Sequence, residues 1–270
     1  MRKALLLYLF LLHGAALYGA FETKPISARG AALGGLCSVP PRDCWSLFGS
    51  PVAASALSSA GFSFSPGLFG FPDLMVVGAS ALHSFGRWGL GCSAMGFGGD
   101  LYREMKLSPA IGYQLSESAS AGLAIDLYHL HIRNYGAATS AGLSLGATFQ
   151  MSEGLEVSMS ATNVTGTTIG GCEEKLPRQL ALGLACIPAS GLVVAVEGHK
   201  EDGMPASLAL ASEYCLLSSF LLRVGISNEM TGLTAGAGVV AGNIQIDYGC
   251  QWHRELGLTH VVSITLGNQR

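Results

Sequence analysis

Along most of this chain, apolar and polar positions alternate in runs of about ten residues separated by glycine, proline or charge, the pattern expected of half-buried strands. Leu180–His199, LALGLACIPASGLVVAVEGH, shows the unit twice. In its second half Leu192, Val194 and Val196 share one face of an extended chain, while Val193, Ala195, Glu197 and His199 share the other. A Pro-Ala-Ser-Gly turn joins the two halves. The uncharged run from Leu180 to Val196 would also suit a membrane helix, but Pro188 at its centre and the period of two oppose that, so the stretch is read as a hairpin.

The same division gives fourteen strands: 60–70, 74–83, 88–97, 103–113, 119–131, 137–150, 155–165, 178–187, 192–200, 205–214, 220–228, 232–241, 243–252 and 258–267. Connections after even-numbered strands are tight turns, as at Ser84–Arg87 or Pro188–Gly191. Those after odd-numbered strands include the longest, Gly166–Pro177, and charged ones such as Lys200–Gly203. That parity suits an even-stranded barrel with its N-terminus in the periplasm.

Alternation also assigns faces. Leu180, Leu182, Leu184, Leu222, Val224, Ile226, Ile244, Ile246, Tyr248, Val262, Ile264 and Leu266 are expected to meet lipid. Asp126, Glu156, Glu197, Arg223, Gln245, Asp247 and Gln251 then face the lumen. The reverse placement of Arg223 would cost about 2–4 kcal/mol at the bilayer midplane. Aromatics near strand ends (Phe85, Trp88, Phe97, Tyr113, Phe149, Tyr214, Phe220, Tyr248, Trp252) are read as interfacial girdles.

Composition points the same way. Only 12% of the 270 residues are charged, where a soluble domain has about a quarter, and mean hydropathy is +0.42 with 37 glycines. After the N-terminus no run reaches the roughly twenty apolar residues a spanning helix needs. The expected fold is therefore all-β: a transmembrane antiparallel β-barrel. A net charge of −3 without any basic cluster argues against nucleic acid as a partner. Residues 1–20 open with Arg2-Lys3, continue through LLLYLFLL and end near Gly19-Ala20, the layout of a signal peptide cleaved after Gly19 or Ala20.

Candidate chemistry is sparse. Seven cysteines (37, 44, 92, 172, 186, 215 and 250) include no Cys-x-x-Cys pair. Cys37 and Cys44 are spaced to close a small loop, while Cys92, Cys186 and Cys250 read as small apolar strand residues. His129 and His131 stand two apart on one strand, but the nearby Asp126 has the opposite parity, so no metal site is assigned. Gly236–Gly242 has the spacing GxGxxxG and no helix after it, which argues against a dinucleotide loop. Asn163-Val164-Thr165 matches a glycosylation sequon. No paired carboxylates in a helical setting and no Ser/His/Asp grouping are visible, so no catalytic residue or cofactor is assigned and an enzyme is not expected. The lumen charges Glu156, Glu197, Arg223 and Asp247 either pair across the barrel or line a polar path. Small inward residues, among them Gly142, Ser144, Gly146, Ser158 and Ser160, leave room for an inserted segment or a narrow passage.

Two stretches carry a family resemblance. ARGAALGG (28–35), followed by LFGSPV (47–52), is similar to the opening of FadL-like and PorV/PorQ-type outer-membrane barrels, where a Gly-Gly element and an Asn-Pro-Ala motif precede the first strand. Asp247-Tyr248 with LGLTHVVSI (256–264) resembles the final hairpin of the PorV/PorQ group. The resemblance implies a fourteen-stranded barrel in the outer membrane (60–270) holding a hatch or plug (21–59) around Gly34, Gly35, Ser50 and Pro51. Ser50 and Val52 replace the motif's Asn and Ala, which removes any hydrogen bond made by that Asn amide. The function implied is passive uptake of small hydrophobic, fatty-acid-like molecules by a protein surrounded by outer-membrane lipid. The alternative, from the PorV side, is a non-transporting shuttle or anchor for secreted-protein partners.

Overall fold

The computed structural model describes residues 19–36, 38, 40, 43–55, 58–171, 174–217, 219–228 and 232–267. Most of the expected signal peptide and Cys37 therefore lie outside the described residues.

Seven strands precede the longest connection: β1 (Ser59–Ser65), β2 (Val76–Phe85), β3 (Trp88–Gly98), β4 (Tyr102–Gln114), β5 (Ala119–Ile132), β6 (Gly136–Ser152) and β7 (Leu155–Thr162). That connection carries a two-residue hairpin, β8 (Thr168–Ile169) with β9 (Glu174–Lys175). Seven more follow: β10 (Gln179–Ala189), β11 (Leu192–Glu201), β12 (Ser207–Leu216), β13 (Phe220–Ser227), β14 (Gly232–Ala241), β15 (Ile244–His253) and β16 (Gly257–Gly267). Every one of the fourteen long strands pairs antiparallel with its chain neighbours, β7 with β10 across the small hairpin. The barrel closes between β1 and β16, in register from Ser59 opposite Gly267 to Phe64 opposite Val262. No helix among the described residues is long and apolar enough to cross a membrane.

All fourteen expected segments are strands, and proline explains where their ends or ladders differ. The first stops at Ser65 because Pro66 cannot donate to the ladder, and the second starts at Val76 because Pro72–Leu74 forms a 3-10 turn. Pro109 sits inside β4, where pairing to β5 lapses between Leu107 and Ala110, and Pro188 coincides with a register shift in β10. One rim carries tight turns such as Gly86-Arg87 and Gly242-Asn243. The other rim carries the two longest connections, 66–75 and 163–178, but also three-residue ones such as Gly99–Leu101.

The outer surface is apolar as expected: Leu182 is 59% exposed, Val224 57% and Ile246 54%, while Arg223 and Asp247 on neighbouring strand positions are buried. Phe85, Trp88, Tyr113, Phe149, Tyr214 and Phe220 face outwards in a band at the tight-turn rim, with Trp88 and Tyr113 in ring contact at 4.4 Å. Two of the proposed girdle residues belong elsewhere. Phe97 faces inwards, under the Lys24 ammonium at 4.2 Å, and Tyr248 sits at mid-height opposite Val262, bonded to His260 Nδ1 at 2.7 Å.

Candidate functional site: the barrel interior

The interior is occupied by the chain's own N-terminal residues. Between Ala20 and Ser55 they form a short helix, Ala28–Ala32, and two 3-10 turns, Cys44–Phe48 and Pro51–Ser55. Small side chains make the helix narrow enough to enter, and Ser27 caps it by accepting from the Gly30 amide at 3.0 Å. Gly34 and Gly35 then turn the chain with φ of +71° and +93°, which residues with a Cβ rarely adopt. Asp43 starts the first 3-10 turn by accepting from the Trp45 amide at 3.1 Å.

The wall is shaped to receive these elements. An added Cβ at Gly112 would stand 2.5 Å from the Ser55 amide, at Gly122 2.5 Å from the Pro51 carbonyl carbon, and at Gly236 2.5 Å from the Ala32 methyl. At Gly89 it would collide with the Ala54 carbonyl oxygen, and at Gly146 with the Ser50 hydroxyl. Inward glycines on β3, β4, β5, β13 and β15 thus bring wall backbone against segment backbone, and those on β6 and β14 receive its side chains. Small inward residues make room for inserted chain in these sectors.

Polar contacts tether the same residues. Lys24 bonds Glu104 of β4 at 2.7 Å, and Trp45 Nε1 donates to Thr265 of β16 at 2.9 Å. The Ser38 amide and hydroxyl both donate to Glu197 of β11, whose second oxygen lies 2.9 Å from His199 Nε2. The largest group is a buried chain of charges. Arg29 Nε meets Glu213 at 3.1 Å and Asp43 at 3.7 Å; Arg223 meets Glu213 at 2.6 Å and Asp247 at 2.7 Å; Gln245 donates to Asp247 at 2.6 Å. Burial works against the Arg29 charge, but Glu213 and Asp43 outweigh it and hold its pKa above the ordinary value. Burial likewise pushes the Asp43 carboxyl above the usual carboxylate range against the pull of Arg29. On the opposite wall Asp126 takes hydrogen bonds from Ser108 and Ser144 and lies 3.2 Å from Lys106.

The sequence-derived residues are distributed as follows. Asp126, Glu197, Arg223 and Asp247 are buried on the inner face, and Glu156 is inward and half-buried. They do not form one site: Arg223 pairs with Asp247, Glu197 holds Ser38, and Asp126 belongs to a separate cluster. Gly34, Gly35, Ser50 and Pro51 all lie in the inserted segment, Ser50 buried against Gly146 and Pro51 against Gly122. Glu104, Lys106 and Glu213 join them, turned inwards by the same period of two; Lys24 and Arg29, the partners of Glu104 and Glu213, lie where no period exists, whereas Lys106 meets Asp126 of β5.

Other motifs resolve into structure. Thr139 bonds His129 at 2.9 Å on the outer face, whereas Asp126 points inwards, and no metal-binding group of three occurs among the described residues. Asn163 of the sequon is fully buried: its amide donates to the Leu176 carbonyl at 3.2 Å and accepts from the Thr167 amide at 3.1 Å, folding the long connection back on itself. Ile169 and Leu176 of that connection pack with Phe21, Met95 and Tyr128 over one end of the lumen. Cys44 carries a free thiol whose pKa burial, with Asp43, raises well above the usual range.

Two hollows remain. One of about 90 Å³, beneath that lid, is lined by Phe21, Lys24, Gly35, Phe48, Glu197 and His199. The other, about 430 Å³ at the tight-turn end, is lined by Arg29, Asp43, Val193, Leu192, Glu213 and Arg223. The N-terminal residues separate them.

No family model and no curated protein matches the sequence. Solved structures do match the fold. The toluene transporter TbuX of Ralstonia pickettii aligns over 92% of this chain and 100% of its own at 12% identity, with a TM-score of 0.66. A Pseudomonas aeruginosa FadL homologue aligns over 93% and 100% at 11% identity and 0.68. The monoaromatic hydrocarbon channel CymD aligns over 93% and 100% at 12% identity and 0.65. The narrower PorV/PorQ resemblance rests on the two terminal motifs alone. The chain is thus similar in fold to FadL-family outer-membrane barrels, and at these identities the likeness concerns the fold only.

Proposed function

We propose that this protein is an outer-membrane barrel through which small hydrophobic molecules enter passively, past a hatch formed by residues 21–59 inside a barrel of residues 60–270, after removal of a signal peptide (1–20). The observation that carries this reading is the filled interior: an inserted segment is seated on wall glycines and held by buried ion pairs, with hollows on either side of it. The hollow beneath the lid, about 90 Å³, is smaller than the roughly 150 Å³ cavity that admits a benzene ring, so on this reading a ring of that size enters it only when its lining moves. The fold shared with transporters of toluene and other monoaromatic hydrocarbons supports the same solute class. In a Gram-negative host expressing the protein in its outer membrane, N-phenylnaphthylamine, a neutral aromatic that intact outer membranes admit slowly, enters faster than in the empty-vector host. Equal rates for it and for other lipophiles would overturn the reading.

The competing reading, an outer-membrane anchor or shuttle for secreted proteins, is favoured by the short connections at the lid rim, such as Gly99–Leu101 and Arg133–Tyr135. Detergent purification separates the two: a stoichiometric protein partner supports the anchor, and bound lipophile supports uptake.

A further inference from the structure

We infer that Tyr248, Cys250 and His260, on the lipid-facing wall of β15 and β16, form the contact by which two copies of this chain pair in the membrane. This pairing is independent of whether the barrel takes up solute or anchors a partner, and needs only that its outer face meets lipid.

All three side chains point outwards: Tyr248 is 43% exposed, Cys250 follows it by two residues, and His260 stands directly opposite Cys250 on the neighbouring strand. The Tyr248 oxygen lies 2.7 Å from His260 Nδ1 and also meets the Cys250 thiol. β15 and β16 are ten and eleven residues long, the length with which a tilted strand crosses the hydrocarbon. Tyr248 lies four residues from the tight-turn end of β15 and His260 seven from that of β16, which places the group in the middle of the wall. The other outward histidines stand near the rims. His83 is two residues from the tight-turn end of β2, and His129 and His131 are within three of the lid-rim end of β5, levels where headgroups and water supply partners.

The three neutral groups carry one polar proton each and two bonds join them, so one donor is left over whichever ring nitrogen holds the proton, together with an acceptor. Among the described residues nothing further meets them. Lipid tails offer no acceptor at this depth, so the leftover donor is costly until a protein supplies one.

Insertion gives every copy the same orientation, so two copies are related by a two-fold axis along the membrane normal, and equal residues meet at equal depth. A second barrel turned about that axis sets its own Tyr248–His260 pair against the first. Each leftover donor then faces the other copy's leftover acceptor, and both are satisfied at once. A different protein would have to carry a matching pair at this height; a second copy carries it by construction. The adjoining strand lets the walls approach, since Ala235 and Ala237, opposite Cys250 and Tyr248 on β14, are small and exposed.

Two copies with different affinity tags, made in one Gram-negative host, test this. In outer-membrane fractions treated with copper phenanthroline, wild type should give a disulfide-linked dimer on a non-reducing gel, and the two tags should co-purify in mild detergent. Cys250→Ser should abolish the covalent band, whereas Cys92→Ser and Cys186→Ser, which remove outward thiols on β3 and β10, should keep it. Tyr248→Phe and His260→Leu should each lower co-purification several-fold while the barrel stays heat-modifiable; Thr139→Val, which breaks the outward pair with His129, should not. Heat-modifiable wild type whose tags separate and which gives no Cys250-dependent dimer would overturn the pairing, as would co-purification that Tyr248→Phe and His260→Leu leave unchanged.

Discussion

Alanine at Gly89 or Gly122 is expected to dislodge the second 3-10 turn from the barrel interior. Each added methyl lands on main chain, the Ala54 carbonyl oxygen in one case and the Pro51 carbonyl carbon in the other, so no side-chain rotation relieves the clash. Overpacking of this kind costs about 1–3 kcal/mol per site. The measurable result is a lower temperature for the heat-modified gel shift, together with protease cleavage within residues 43–55. Gly96→Ala is the control, because its Cβ would meet nothing within 4 Å. Unchanged melting and protection in the Gly89 and Gly122 variants would mean that the segment yields readily to the wall.

Replacing Arg223 by Met is expected to have an effect of comparable or greater size. Its guanidinium serves both Glu213 and Asp247, and after its loss Glu213 still has Arg29 while Asp247 keeps, among the described residues, the Gln245 amide. Removing one partner of a buried pair costs about 3–5 kcal/mol, chiefly because a charge is left without compensation. Adding Asp247→Asn should therefore recover most of the loss, which denaturant titration of the purified barrel will show. If Arg223→Met alone is as stable as wild type, the chain of charges contributes nothing to holding the interior together.

Much of the barrel was legible in the sequence because lipid outside and a packed lumen inside impose the same two-residue period on every strand. Leu222, Val224 and Ile226 against Arg223, or Ile244 and Ile246 against Gln245 and Asp247, needed nothing but alternation. Strand ends were less legible: Pro72 starts a 3-10 turn, a local event that the apolar pattern of 74–83 does not register. Tyr248 was misplaced for a related reason, since an outward aromatic reads alike at the interface and at mid-height. The interior contacts were the hardest. The N-terminal residues obey no period, so Arg29 and Lys24 could not be matched to Glu213 and Glu104, and sequence cannot set two strands on opposite sides of a lumen. The inward glycines were visible as a pattern, but the identity of what they receive, Ala54, Pro51 and Ala32, emerges only in three dimensions. Small-residue faces in a wide barrel are the available hint, because side chains alone do not fill fourteen strands.

On the proposed reading the chain's own N-terminal residues close the barrel. Planar-bilayer recording of the purified protein, beside a form lacking residues 21–55 shown by heat-modifiable migration to have folded, tests it most directly. Wild type should be electrically silent and the truncated barrel should conduct ions steadily. Steady conduction by wild type, or a folded truncated barrel that stays silent, would contradict it.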